Sequence, residues 1–354
     1  MITYFRNLRK INSLILIVTL LSFSNIYAQE NAKKALEKGI EYRKKGLYDE
    51  AIMALDKAIE IDANLLEAYL NRGAIYIKKG EADLAIADLN KAIEKDPTNS
   101  KAYFIRGLAY FKKGNVDLAI LDFSKAIEIN PNYAGAYSYR GAAYLELKNY
   151  AQALSDLNKA IEIDDKDIDA YSFRGDVFYR QDNYNRAIPD YAKVIEINPK
   201  DVTAHGFLGN CYLEVDKYDQ AIASYTKVIE INPNSSLAYK NRGYVHSFMG
   251  NDSQAISDLN RAIEIDPRFA EAYGLRGSVY LEENNYDKAI SDLTKALEID
   301  VRFGPAAYQA RSRAYFEIGN YDKAWEDIHS LEHLGQKADQ EFINKLKDAS
   351  GRKK

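Results

Sequence analysis

Chemistry in this chain would have to come from histidine, cysteine or a convergent set of charges, and such residues are few. Among 354 residues there are four histidines and one cysteine. His329-Ser-Leu-Glu-His333 fits the H-x-x-E-H spacing, which sets two imidazoles one helical turn apart, as a zinc site requires. The same segment also continues an ordinary outer helix face, and only 21 residues follow to supply a third ligand. Cys211 stands alone, so no internal disulfide, CxxC pair or multi-thiolate zinc site can form. It reads as a small half-buried residue rather than a nucleophile. There is no GxxxxGK[ST], no GxGxxG opening a helix after a strand and no GxSxG. The chain therefore reads as non-enzymatic, with no catalytic residue, no metal site and no cofactor.

The elements that carry these residues are set by a 34-residue period. Gly39, Gly73, Gly107, Gly141, Gly175, Gly209, Gly243 and Gly277 are spaced by 34, and Ser312 holds the ninth position after one inserted residue. Twelve residues beyond each lies an alanine, from Ala51 to Ala324. Nine repeats follow, at 32–65, 66–99, 100–133, 134–167, 168–201, 202–235, 236–269, 270–303 and 305–338. Each holds two apolar blocks of helical spacing separated by a short turn, here termed helices A and B, so the fold class is all-α. Pro97, Pro131, Pro199, Pro233 and Pro267 end second blocks, since proline cannot continue a helix. Glycine at position 8 and alanine at position 20 let the two helices approach. Tyrosine recurs at positions 4, 11 and 17 and reads first as framework. His205 and His246 occupy positions 4 and 11, where other repeats place Tyr or Phe, and read the same way.

One pair of positions varies together. Arg at position 7 and Asp at position 23 coincide in seven repeats: Arg72 with Asp88, Arg106 with Asp122, Arg140 with Asp156, Arg174 with Asp190, Arg242 with Asp258, Arg276 with Asp292 and Arg311 with Asp327. Repeat 1 has Lys38 and Ala54, and repeat 6 has Leu208 and Ser224, so both members are lost together. This predicts structural ion pairs that orient helices. Repeats 5 and 6 are the least regular. Pro189 predicts an interrupted second helix in repeat 5 and a local change of curvature, a hinge or docking point.

Composition bounds the rest. With 48 basic and 52 acidic residues the formal charge is −4, and without Arg6, Arg9 and Lys10 the remainder is more acidic still. No basic footprint for nucleic acid exists. Residues 1–28 read as a signal peptide: a charged start, the apolar run Ile11 to Phe23, then Ala28 before Gln29. Thirteen residues are short for a membrane span, so none is expected after signal removal, and no nearby cysteine offers a lipid anchor. The expectation is export to a periplasmic or extracellular location. The alternative is a membrane anchor formed by an uncleaved N-terminal segment. Residues 29–31 form a short lead, 339–350 a C-terminal capping helix and 351–354 a disordered tail.

The pattern of aromatic, Gly, Tyr, Ala, aromatic or Leu, Ala and Pro over 34 residues resembles the tetratricopeptide repeat (TPR) family across 32–338. The resemblance implies an α-solenoid, a right-handed superhelix of antiparallel helix pairs, with the first helix of each repeat lining a concave groove. On that helix, positions 2, 5, 6, 9, 12 and 13 share one face. A peptide-binding groove would then be lined by Phe104, Phe111, Tyr139, Phe173, Tyr179, Phe207, Asn210, Lys240, Asn241 and Tyr244, with Leu36, Ile40, Leu70, Asn71, Ile105 and Leu108 toward the start. Some family members bind acidic carboxyl-terminal tails through Lys and Asn at positions 5 and 9 of a first repeat. Leu36 and Ile40 stand there instead, which argues against that clamp. An apolar, aromatic groove with sparse amides and cations suits an extended peptide or an amphipathic helix of a protein partner. Assembly of an envelope or extracellular complex is the expected role; self-association into a structural homo-oligomer is the alternative.

Overall fold

The structure is a computed structural model, and it describes residues 27–352. Residues 1–26 of the expected signal peptide therefore lie outside the described residues, while its expected cleavage point, between Ala28 and Gln29, falls within them. Every regular element among the described residues is helical. The described residues divide into two compact units, on either side of 177/178, and the division falls inside one helix.

In the first unit α1 covers 27–44, so helical backbone runs through the stretch 29–31 expected as a lead. It is followed by α2 (Tyr48–Ile61), α3 (Leu66–Lys79), α4 (Ala82–Lys95) and α5 (Ser100–Lys112). Then come α6 (Val116–Ile129), α7 (Ala134–Glu146), α8 (Tyr150–Ile163) and α9 (Ile168–Arg180), in which the division lies. The second unit continues with α10 (Tyr184–Ile197), α11 (Val202–Glu214), α12 (Tyr218–Ile231), α13 (Ser236–Phe248) and α14 (Asp252–Ile265). After α15 (Ala270–Glu282) and α16 (Tyr286–Ile299), a 3-10 turn at Val301–Phe303 absorbs the inserted residue. The chain ends with α17 (Gly304–Glu317), α18 (Tyr321–His333) and α19 (Gln340–Ser350). Each unit is thus an α-solenoid in which helix A packs on helix B of its own repeat and helix B packs on helix A of the next.

The turn from A to B is the same throughout. Position 15 has a left-handed backbone in every repeat, filled by Gly46, Gly80, Gly114, Gly250 and Gly319 but by Lys148, Asp182, Asp216 and Asn284 elsewhere. The following amide then reaches back to the carbonyl at position 11, as Glu81 does to Tyr76 at 2.8 Å and Asn115 to Tyr110 at 2.9 Å. This closes the orphan carbonyls of helix A. Between repeats an Asp or Asn side chain holds the turn, as when Asp96 accepts from the Thr98 amide at 3.0 Å.

Packing explains the small residues. The position-20 alanines are fully buried. At position 8 a Cβ on Gly107 would lie 2.6 Å from Phe123 Cε1, and one on Gly209 would lie 2.7 Å from Tyr225 Cε1. Helix A can therefore sit against the large residue at position 24 only if position 8 has almost no side chain. At the other end α19 buries Phe342 and Leu346 against Trp325 and Ile328. This covers apolar surface that a last repeat would otherwise expose. Arg352, in the stretch expected to be loose, is placed 2.5 Å from Asp322.

The expected interruption at Pro189 is not found. Helix α10 runs unbroken through it over 14 residues, the length of other B helices such as α8 and α12. Pro189 is exposed, and so is Asn185, whose carbonyl loses the hydrogen bond that an amide at 189 would donate. Water can satisfy that carbonyl, so the missing donor leaves no buried polar group behind.

Candidate functional site

In repeats 2, 3, 4, 7, 8 and 9 the Arg and Asp positions are joined within the repeat. Arg106 donates from Nε and Nη2 to Asp122 at 2.8 and 2.7 Å, and Arg276 donates to Asp292 at 2.7 and 2.8 Å. Arg72, Arg140, Arg242 and Arg311 form the same fork with Asp88, Asp156, Asp258 and Asp327. The bidentate geometry fixes the angle of helix A against helix B. Arg174 lies in the first unit and Asp190, which is buried, in the second.

Two further contacts complete each fork. The remaining guanidinium nitrogen, Nη1, reaches back to position 25 of the preceding repeat. Arg72 meets Asp56 there, Arg106 meets Asn90 at 2.7 Å, and Arg140 meets Ser124 at 3.0 Å. Arg174 meets Asn158 at 2.7 Å, Arg242 meets Thr226 at 2.9 Å, Arg276 meets Asn260 at 2.5 Å and Arg311 meets Thr294 at 2.9 Å. Each of these arginines also lies over the tyrosine at position 4 of its own helix, between 5.5 Å for Tyr103 and 5.8 Å for Tyr69. The sequence contained both signals. Position 25 of repeat 5 is Ala192 and position 4 of repeat 6 is His205, so repeat 6 lacks Arg together with all its partners.

The A-helix face carries a cleft in each unit. In the first unit a cleft of 390 Å³ is lined by Ala74, Ile77, Lys78, Ile105, Leu108, Phe111, Lys112 and Tyr139. All eight stand at positions 6, 9, 12 or 13 of helices A in repeats 2 to 4. Phe104 is turned into an aromatic cluster instead, 4.8 Å from Tyr133 and 5.8 Å from both Phe123 and Tyr139, ring to ring. Phe173 meets Tyr139 edge-on at 5.5 Å and forms no part of the cleft wall. Leu36, Leu70 and Asn71 are buried between helices, so they are framework rather than groove. Asn71 donates to the Glu67 carbonyl of its own helix at 2.7 Å.

In the second unit a cleft of 260 Å³ lies between helices α11 and α13. Phe207, Asn210, Leu237 and Asn241 line it, Gly206 opens it, and Tyr225 and Val228 of α12 form its floor. Phe207 stacks on Tyr191 at 5.4 Å and meets Tyr179 edge-on at 5.3 Å. Asn210 Oδ1 accepts from the Tyr225 hydroxyl at 2.7 Å and from Asn241 Nδ2 at 3.4 Å. Burial pushes the Tyr225 hydroxyl up, which keeps it a donor. Tyr191 and Tyr225 at position 24, where most repeats have Leu or Phe, are the residues missed by reading helix A alone. Lys240 stands apart from this cleft, with its ammonium 5.9 Å from the centre of the Phe269 ring and its pKa lowered by burial against the opposing field of Glu271. Tyr244 is exposed and also outside it.

The histidines do not converge. His329 is exposed and stacks on Trp325 at 5.8 Å, and His333 is exposed one turn on. No cluster of three or more His, Cys, Asp or Glu with metal-holding geometry exists among the described residues. His205 is buried and contacts the Pro199 carbonyl at 3.1 Å, and Cys211 is buried in α11. His246 has its Nδ1 buried without a hydrogen-bond partner, and its pKa is lowered chiefly by burial. No helix among the described residues is long and apolar enough to cross a membrane.

Comparison with known proteins agrees with this geometry. The TPR repeat family model matches residues 39–80, 73–114 and 107–148. Two tetratricopeptide repeat models match 134–167, 168–201, 202–235 and 270–303, and 224–257. No curated protein sequence matches the chain. Among solved structures the chain is similar to Pseudomonas aeruginosa pilF, at 19% identity and TM-score 0.53, covering 60% of this chain and 96% of that one. It is also similar to the C-terminal part of a TPR repeat-containing protein from Cytophaga hutchinsonii, at 21% identity and TM-score 0.50, covering 67% and 97%. A third is the APC/C hetero-tetramer Cut9-Hcn1, at 19% identity and TM-score 0.55, covering 75% of this chain and 52% of that one. At these identities the likeness is one of fold. With the repeat models falling in register on the 34-residue period and the helix pairs formed as that period requires, the chain belongs to the tetratricopeptide repeat family.

Proposed function

We propose that this protein is an exported, non-enzymatic scaffold that binds a protein or peptide segment on the A-helix face and supports assembly of an envelope or extracellular complex. The observation that carries the reading is the pair of apolar or aromatic clefts, the first lined by helices A at positions predicted to face a ligand and the second by such positions together with Tyr225 and Val228 of α12. Such surfaces bury apolar side chains of a partner while amides and cations at the margin orient its backbone. Export rests on the charge and apolar pattern of residues 1–28.

The test is affinity capture from an envelope extract with residues 29–354, beside Phe111→Ala and Phe207→Ala variants. A partner retained by the parent and lost by a variant supports groove recognition. Equal capture by all three moves the site to the ends or the outer face. Sequencing the N-terminus of the protein recovered from the envelope fraction checks export, with Gln29 as the expected first residue. An intact Met1 on a cytoplasmic product would overturn that part of the reading.

A further inference from the structure

Two adjacent lysines close α3, and two close the equivalent end of repeat 3, yet their surroundings differ. Lys79 and Lys113, at position 14, are paired with Asp49 and Asp83 of the preceding repeat. Lys78 and Lys112, at position 13, line the cleft of the first unit and form no ion pair among the described residues. Lys112 makes only a long 3.4 Å contact to the Ile77 carbonyl. Both are exposed, so their charge is available to a ligand. The apolar wall between them is built from Ile77, Leu108, Phe111 and Tyr139. The Asp169 carboxylate interacts electrostatically with both Lys78 and the Tyr139 hydroxyl.

From this arrangement we infer that the first cleft selects a short acidic segment, in which one or two apolar side chains are flanked by carboxylates. The inference rests on the proposed binding function and names the partner chemistry for one of its two clefts. The apolar side chain fills the volume between Leu108 and Phe111, and the flanking carboxylates meet Lys78 and Lys112. The second cleft lines its margin with Asn210 and Asn241 and has no cation, so it does not share this preference. Charges at the edge of an apolar site contribute selectivity and association rate more than affinity, and they weaken as salt rises.

The experiment measures fluorescence anisotropy of the full chain with three labelled peptides: Ser-Glu-Leu-Phe-Asp-Ser, its amide counterpart Ser-Gln-Leu-Phe-Asn-Ser, and Ser-Glu-Ala-Ala-Asp-Ser. The acidic apolar peptide should bind about fivefold more tightly than the amide one, and the alanine peptide least. The Lys78→Gln, Lys112→Gln double variant should abolish that preference without changing affinity for the amide peptide. Lys79→Gln, which breaks a pair outside the cleft, should leave the preference intact. Raising the salt to ~0.5 M should shrink it, as screening of exposed charges requires. Equal binding of the acidic and amide peptides, or a preference unchanged in the double variant, overturns the inference. If Phe111→Ala still weakens both peptides in that case, recognition in the cleft stands without charge selection. Failure of every peptide to bind also overturns the inference, and the capture experiment then decides the broader function alone.

Discussion

Arg276 and Asp292 stand sixteen residues apart on neighbouring helices, and two parallel hydrogen bonds of 2.7 and 2.8 Å join them. The carboxylate is buried and the guanidinium retains a minor exposed fraction. Removing the acid therefore leaves a largely buried cation with Asn260 as its remaining side-chain hydrogen-bond partner. Asp292→Ala should destabilise the protein by about 3 kcal/mol. Urea unfolding would check this. A loss no larger than that of an exposed Asp to Ala change, such as Asp287→Ala, would show that the fork holds no load.

Repeat 6 offers the reverse test. Leu208 is buried where other repeats have Arg, Ser224 replaces the Asp and donates to the Gln220 carbonyl at 2.9 Å, and Ala192 replaces the acceptor. Leu208→Arg alone should cost about 3 kcal/mol, because it buries an unpaired cation. Adding Ser224→Asp and Ala192→Asn should recover more than half of that loss. Independent, additive effects in a thermodynamic cycle would refute the assignment of the three positions as one unit.

Gly107 and Gly73 occupy the same position but face different neighbours. A Cβ at Gly107 would stand 2.6 Å from the Phe123 ring, whereas at Gly73 it would stand 3.1 Å from Leu89 Cγ. A flat ring wedged in a filled core has less room to turn than a branched aliphatic tip. Gly107→Ala should lower stability by about 2 kcal/mol through overpacking, and Gly73→Ala by clearly less. Thermal melts of the two variants side by side give the ordering.

His246 brings pH into the stability of the second unit. Burial lowers its pKa in the folded protein, with Arg242 reinforcing and Asp258 opposing. In the unfolded chain the imidazole titrates near ~6.5. Above that pH both states are neutral and nothing is lost. Below it the unfolded chain takes up a proton that the folded protein resists, so stability falls until the folded pKa is passed. His246→Tyr restores the residue usual at position 11 and should flatten the decline of the urea midpoint between about pH 7 and pH 5. Parallel declines for parent and variant would assign the pH dependence to other groups.

The period, the helix pairs and the Arg to Asp forks were legible in the sequence because nine copies of one unit supply their own comparison. Legibility failed where a residue's role depends on what lies across an interface. Leu36, Leu70 and Asn71 share a helical face with Phe111, but neighbouring helices cover them, and no spacing within one helix reveals that cover. Tyr225 departs from the Leu or Phe usual at position 24, a difference visible when the repeats are compared, but its place in the cleft depends on which helices flank it. Pro189 misled because its cost depends on whether the orphaned carbonyl of Asn185 is wet or dry.

The third nitrogen of each arginine always reaches toward the N-terminal neighbour. That asymmetry gives the array a polarity. A chain emerging from the ribosome would have each new guanidinium meet its Nη1 acceptor already made, while the Asp of its fork, sixteen residues on, is still to come. At repeat 6, where Leu208 replaces the donor and Ala192 of repeat 5 replaces its acceptor, the relay pauses. The three repeats after it must start their own sequence of closures, beginning when Arg242 finds Thr226.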